Sequence, residues 1–247
     1  MFRTMQKRGQ TPFSYPAAVG TDPSVALVSE RVFAQLLEAL LAGRYEAGEK
    51  LPTQRALAAD LGVTMSSVRE ALKRLEQMGL VDVRRGSAMR VRDWREHGGL
   101  DLLTHLLFRG GTLDAGILLA ILEARALMLR EIAGLAAERR RAPQVKRLHQ
   151  LAMRFAAAEH PHDAARIDFA FFTEVAQAAH NLVFELILNA IREIYFAHLD
   201  AVPVTARPHE LAPIYARVAR AIDHRDGNRA RAAAFELASL QAEQVSG

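Results

Sequence analysis

The sequence predicts a mainly α-helical chain: a small helical unit closed by a β-hairpin, followed by an all-α bundle of six to seven helices. Three observations predict it. Two short helical patterns meet at Gly62 and are followed by alternating apolar and polar residues around a second glycine. Paired glycines at Gly98 and Gly99 then interrupt the pattern. Beyond them almost every segment has helical spacing, broken only at Gly, Pro and Asn.

Residues 1–23, rich in Pro, Gly, Thr and basic side chains, read as a disordered leader. A helix follows over 24–42, its apolar face set by Val25, Val28, Val32, Leu36, Ala39 and Leu40. Next, Leu57, Leu61, Val63, Val68, Leu72 and Leu75 suit two helices packed across a tight turn, where Gly62 takes backbone angles closed to other residues. Thr64 is placed to cap the second of these helices, which leaves its first turn, Met65, Ser66, Ser67 and Arg69, pointing outward. In helix-turn-helix units that end of the second helix meets base edges in the major groove, a surface that hydroxyls and Arg suit.

Leu80 to Val91 alternates around Arg85-Gly86-Ser87, a hairpin signal with Gly at its tip and Arg84, Arg85, Arg90 and Arg92 supplying positive charge. Helix-turn-helix plus basic hairpin makes a winged helix-turn-helix, expected over 24–95. A linker is expected at 96–99. The plain alternative, a helical hairpin with a solvated charged face, accounts for fewer of these residues.

From residue 100 to 247 the expected helices are 100–109, 113–139, 144–159, 161–180, 182–200, 208–224 and 228–245, a bundle with short connections and no strand pattern. Arg125 falls on the apolar stripe of the long helix formed by Ile117, Ile121, Leu122, Met128, Ile132 and Leu135. Its guanidinium therefore points inward and needs an anionic partner, either a ligand carboxylate or phosphate or simply Asp168. Asp168 lies on another inward face with Ala164, Phe171, Phe172, Val175 and Ala179.

Composition narrows the function. The net charge is only +4, and residues 44–95 carry 11 Lys or Arg against 7 Asp or Glu, an excess equal to that of the whole chain. Nucleic-acid binding should therefore be local and salt-dependent. The absence of cysteine excludes disulfides, thiolate catalysis and cysteine-ligated metal. With no signal-peptide core and no long uncharged apolar run, a soluble cytoplasmic protein without membrane contact is expected. The chain also lacks the nucleophile elbow, phosphate loop, dinucleotide fingerprint and zinc-protease motif of common enzymes, so no catalytic role and no cofactor are expected.

Residues 27–92 resemble the GntR family of bacterial transcription regulators. The resemblance rests on Leu51-Pro52, Arg55, Leu57-Ala58, Leu61-Gly62-Val63-Thr64, Val68-Arg69-Glu70-Ala71-Leu72, Leu75, Gly79-Leu80 and Gly86. It implies that Arg55 and Arg69 contact DNA, that Ser66 and Ser67 meet base edges or phosphates, and that Gly86, flanked by Arg85 and Ser87, enters the minor groove. Met65 stands where many members carry Arg. The second part, through Arg125, Leu135-Ala136-Ala137, Ile167-Asp168 to Phe172, Asn181, Ala221-Ile222 and Asp226, is similar to the helical FCD effector domain of the FadR subfamily.

In many FCD domains an Asp and three His hold a metal that holds a carboxylate effector. Here the Asp matches at Asp168, but the His positions carry Phe172, Tyr215 and, less securely aligned, Leu237. Phenylalanine and leucine offer no lone pair, so no metal is expected. Nor do the nine histidines, all after residue 96, rebuild a site, since the only close pair, His160 and His162, lies at a helix break. A pocket lined by Phe171, Phe172, Phe184, Tyr195, Tyr215 and Leu237, with Arg125, Asp168 and Asn181, would favour an apolar ligand.

The acyl-CoA-sensing member of the subfamily also lacks the metal histidines, and its linker resembles Trp94 to Leu103. The reading at this point is a homodimeric repressor on a DNA operator, released by an acyl-CoA or a hydrophobic carboxylic acid. Two alternatives stand beside it: a ligand-blind bundle that only dimerises, and a regulator whose effector is a metal-held carboxylate.

Overall fold

The computed structural model describes residues 23–82, 89–109, 111–197, 199–200, 202, 204–205 and 207–246. Packing divides the chain into two units, one up to Gly98 and one from Gly99 onward. The expected leader up to residue 22 lies outside the described residues, while Pro23 already opens the first helix.

In the first unit α1 (Pro23–Leu41) buries Val32, Phe33, Leu36, Leu37 and Leu40 against α3 (Met65–Gln77), whose inner face is Val68, Ala71, Leu72 and Leu75. Between them α2 (Gln54–Leu61) starts at Thr53, whose hydroxyl accepts from the Ala56 amide, and stops at Gly62 with φ +65°. That left-handed turn lets the Val63 amide reach the Ala58 carbonyl at 3.0 Å, closing α2 and turning the chain into α3.

The wing base is β1 (Val81–Asp82) antiparallel to β2 (Arg90–Val91), in the register Val81 to Val91 and Asp82 to Arg90. Residues 48–51 pair with the other side of β2: the Gly48 amide donates to Val91 at 2.8 Å and the Leu51 amide to Met89 at 2.9 Å. Sequence alternation did not reveal this third edge. The connection that enters α2 is thereby tied to the wing.

A short α4 (Trp94–His97), capped by Asp93, makes Glu96 and His97 of the expected linker helical. Gly79, at φ +73°, passes so close to this turn that an added Cβ would lie 2.6 Å from the His97 carbonyl oxygen. Glycine is required there twice over, by backbone angle and by space.

The second unit begins with α5 (Leu102–Leu107), shorter than the helix expected over 100–109. Instead of continuing, the chain forms β3 (Phe108–Arg109) antiparallel to β4 (Thr112–Leu113), turning through Gly111 at φ +79°. The expectation of a strand-free bundle is corrected there, because paired glycines favour a hairpin over a helix end. The remaining helices are α6 (Ala115–Arg139), α7 (Ala142–Ala156), α8 (Pro161–Ala178), α9 (Leu182–Ala197), α10 (Pro208–Asp223) and α11 (Gly227–Ser246).

Their core joins Leu129 and Ile132 of α6 to Leu148 and Phe155 of α7, Phe171 and Val175 of α8, Tyr215 of α10 and Leu237 of α11. Helices α6 and α11 approach through Ala133, Ala137, Ala230 and Ala234. Gly134 leaves room for Arg231, which crosses it to bond Glu131 at 3.1 Å and Glu138 at 3.3 Å. Among the described residues no helix is long and apolar enough to cross a membrane.

Candidate functional site

The first candidate surface is built by the cap of α3. The Thr64 hydroxyl accepts from the Ser67 amide at 3.2 Å and lies 3.0 Å from the Ser67 hydroxyl. This satisfies one of the free amides at the helix start and fixes its phase. Met65, Ser66 and Arg69 are exposed, as is Arg55 on α2. Ser67 is corrected: only 1% exposed and bonded to Thr64, it belongs to the cap and does not face outward.

Lys73, exposed one turn after Arg69, continues the row Met65, Arg69, Lys73. Sequence reasoning missed it, although its four-residue spacing from Arg69 is the signal that finds it. Arg74 instead turns toward α1 at the surface, pairing with Glu30 and lying 3.8 Å from the Phe33 ring centroid. Arg85, Gly86 and Ser87 lie outside the described residues, as does Arg84. Of the wing arginines that are described, Arg90 donates to the Gly48 carbonyl at 2.7 Å and Arg92 lies 3.0 Å from His97 Nδ1. Both help hold the unit together.

The second candidate is a partly open cavity of about 420 Å³ in the helical unit, lined by residues of α5, α6, α8 and α9 and by Leu100, Val202 and Val204. Its walls are apolar, among them Leu103, Ile121, Leu122, Met128 and Ile191, except for one patch made by Arg125, Asp168 and Tyr195. Asp168 is 1% exposed. Arg125 Nη2 donates to its two oxygens at 3.4 and 3.2 Å, and the Tyr195 hydroxyl donates to Oδ2 at 2.7 Å.

From behind, the Tyr215 hydroxyl and Gln241 Nε2 donate to Oδ1, the latter at 3.2 Å. Gln241 Nε2 also donates to Tyr215 Oη at 3.1 Å, and Gln241 Oε1 accepts from Arg125 Nη1 at 2.6 Å. The buried carboxylate thus has a counter-ion and a donor on every side. Of the two partners left open for Arg125, Asp168 is the one present here, at 3.2 Å.

Burial pushes the Tyr195 and Tyr215 hydroxyls well above the usual tyrosine range, and the neighbouring Asp168 charge pushes the same way. A raised folded-state value means that this contribution to stability is complete below about pH 10, where a free tyrosine titrates, and declines as pH rises beyond it. In an alkaline absorbance titration two tyrosines should ionise late, with the unfolding transition, and Tyr195→Phe and Tyr215→Phe should each remove one. Early ionisation of all tyrosines would contradict the packing described.

Arg125, Asp168 and Phe172 line the cavity, with Phe172 beneath the Arg125 guanidinium at 5.5 Å. Tyr195, also expected, lines it too, whereas Phe171, Asn181, Phe184, Tyr215 and Leu237 do not. Asn181 accepts from the Val183 amide at 3.1 Å at the start of α9. Phe184 packs on the core, Tyr215 sits behind Asp168, and Leu237 is fully buried. Gln241, one turn after Leu237, is the α11 residue that reaches Asp168; an amide at an inward position of that helix was the available signal.

A metal does not fit this arrangement. Both Asp168 oxygens are taken by cationic, phenolic and amide donors, and Phe172 and Leu237 supply no ligand atom. Elsewhere, His162 pairs with Asp200 at 2.9 Å on the exposed surface. Among the described residues no three His, Asp or Glu side chains converge.

Comparison with known proteins agrees with both units. The profile of bacterial regulatory proteins of the gntR family matches residues 28–91, and that of the FCD domain matches residues 120–239. The chain is 41% identical over 215 residues to the HTH-type transcriptional regulator Mce2R of Mycobacterium tuberculosis, covering 86% of this chain and 89% of that one. It is 36% identical over 160 residues to the putative L-lactate dehydrogenase operon regulatory protein of Escherichia coli, covering 63% of this chain and 58% of that one.

It is also 27% identical over 161 residues to the fatty acid metabolism regulator protein of Edwardsiella ictaluri, covering 65% of this chain and 66% of that one. The fold is shared with Lar of Listeria monocytogenes, at a TM-score of 0.50 and 18% identity, over 88% of this chain and 97% of that one. The chain belongs to the gntR family of bacterial regulatory proteins, as a DNA-binding transcription regulator whose helical unit is an FCD domain.

Proposed function

We propose that this regulator is a homodimeric repressor whose operator affinity is controlled by a small molecule with a long apolar part, bound in the cavity of the helical unit. An acyl-CoA or a hydrophobic carboxylic acid is the class that the sequence suggested. The observation that carries this reading is the cavity itself: about 420 Å³, with apolar walls and a single polar patch at Arg125, Asp168 and Tyr195. A volume of this order is near the lower end of ligand pockets, roughly 300–1,000 Å³, and an apolar lining with a few placed polar groups is their usual make-up.

The name of the Edwardsiella relative, a regulator of fatty acid metabolism, agrees with such a ligand. The dimer follows from recognition: one winged helix reads too few base pairs for specificity, and two copies on a near-palindromic site supply the rest. Met65, Ser66, Arg69 and Lys73 of α3, with Arg55 of α2, would face the DNA, and the wing tip at Arg85, Gly86 and Ser87 the adjacent groove. Ser67 is left out because the cap buries it.

Thermal unfolding with and without acyl-CoAs and fatty acids tests the effector part. A ligand at a hundred times its dissociation constant adds about 2.7 kcal/mol, which raises the melting temperature of the helical unit by several degrees. No stabilisation by any member of the panel would leave the bundle as a dimerisation element alone.

A further inference from the structure

We infer that the cavity receives an apolar chain bearing an uncharged polar head, such as an ester, thioester, amide or alcohol, and discriminates against the free carboxylate. This rests on the effector reading of the same cavity and narrows it.

Among the described residues that line the cavity Arg125 is the only cationic side chain, and its charge is already matched by Asp168. A carboxylate brought to Arg125 would share the guanidinium with Asp168 against apolar walls, where like charges at short range repel and a second anion meets no further cation among the described lining residues. Displacing Asp168 to make room is disfavoured too. Its oxygens also hold Tyr195, Tyr215 and Gln241, whose buried donors would lose their acceptor together.

A neutral head meets neither obstacle. A guanidinium has five N–H donors, and the bonds to Gln241 and Asp168 leave some for a carbonyl or ether oxygen. Tyr195 Oη, which spends its proton on Asp168, keeps a lone pair for a head group that donates. The ion pair therefore works as a filter: it supplies local dipoles to an uncharged head and rejects net charge.

Calorimetric titration of the full-length protein at neutral pH with decanoate, methyl decanoate and decanol, matched in chain length, separates the alternatives. Methyl decanoate and decanol should bind at least about tenfold more tightly than decanoate. In Asp168→Asn, which removes the anion and frees Arg125, the preference should shift toward decanoate by about tenfold or more. Wild-type protein binding decanoate as tightly as the ester would overturn the inference and leave the effector cavity standing, whereas no binding by any of the three would remove both. A folded Asp168→Asn protein with the wild-type preference would also overturn it. If that variant does not fold, the wild-type ratio alone decides.

Discussion

Replacing Arg69 with alanine is expected to remove sequence-specific operator binding while leaving the fold intact. The side chain stands exposed on α3, whose opposite face, Val68, Ala71, Leu72 and Leu75, is buried. Truncation therefore opens no cavity, and a surface change of this kind alters stability by about 0.5 kcal/mol or less. An Arg that reads a base edge contributes about 1–3 kcal/mol of discrimination, and a dimer loses it twice on a palindromic site. Fluorescence anisotropy against an operator selected from random duplexes by the wild-type protein measures the loss. Wild-type affinity and preference in Arg69→Ala would mean that α3 does not read the DNA.

Asp168→Ala should be the most destabilising single change in the helical unit. It leaves the Arg125 guanidinium, 13% exposed, without a counter-ion and strips Tyr195, Tyr215 and Gln241 of their common acceptor. Breaking a buried pair in this way costs about 3–5 kcal/mol. Replacing both partners, with Arg125→Met and Asp168→Leu together, should recover much of the loss, because no stranded charge remains. Urea unfolding of the wild type and the two variants measures it; a loss under about 1 kcal/mol in the single variant would show the pair to be screened by water.

The sequence made the first unit legible because several local signals there agree. Gly62 stops one helix, Thr64 caps the next, and leucines at helical spacing face each other across the turn. Ser67 was misplaced because a hydroxyl at the third position of a helix can face solvent or fold back onto its cap, and only packing decides. In the second unit the helices were legible from breaks at proline and glycine, but the hairpin at Phe108–Arg109 and Thr112–Leu113 was not. Two-residue strands are too short to show alternation.

The site was half legible. Arg125, Asp168, Phe172 and Tyr195 line the cavity, yet the residue completing the network is Gln241 rather than Leu237. A one-turn offset on α11 preserves the helical face, so spacing alone could not distinguish the two. The cavity's contribution from α5 and from Val202 and Val204 was equally hidden, since it depends on how the chain returns over the bundle.

The linkage between the two units is tested most directly by measuring operator affinity of the wild-type protein with the cavity empty and with it saturated by the tightest-binding of the apolar ligands. Coupling free energies of about 1–3 kcal/mol correspond to about 5- to 150-fold in affinity. A fall in operator affinity within that range is the expected result. Unchanged affinity, with calorimetry showing the ligand bound, would contradict control of DNA binding through the helical unit.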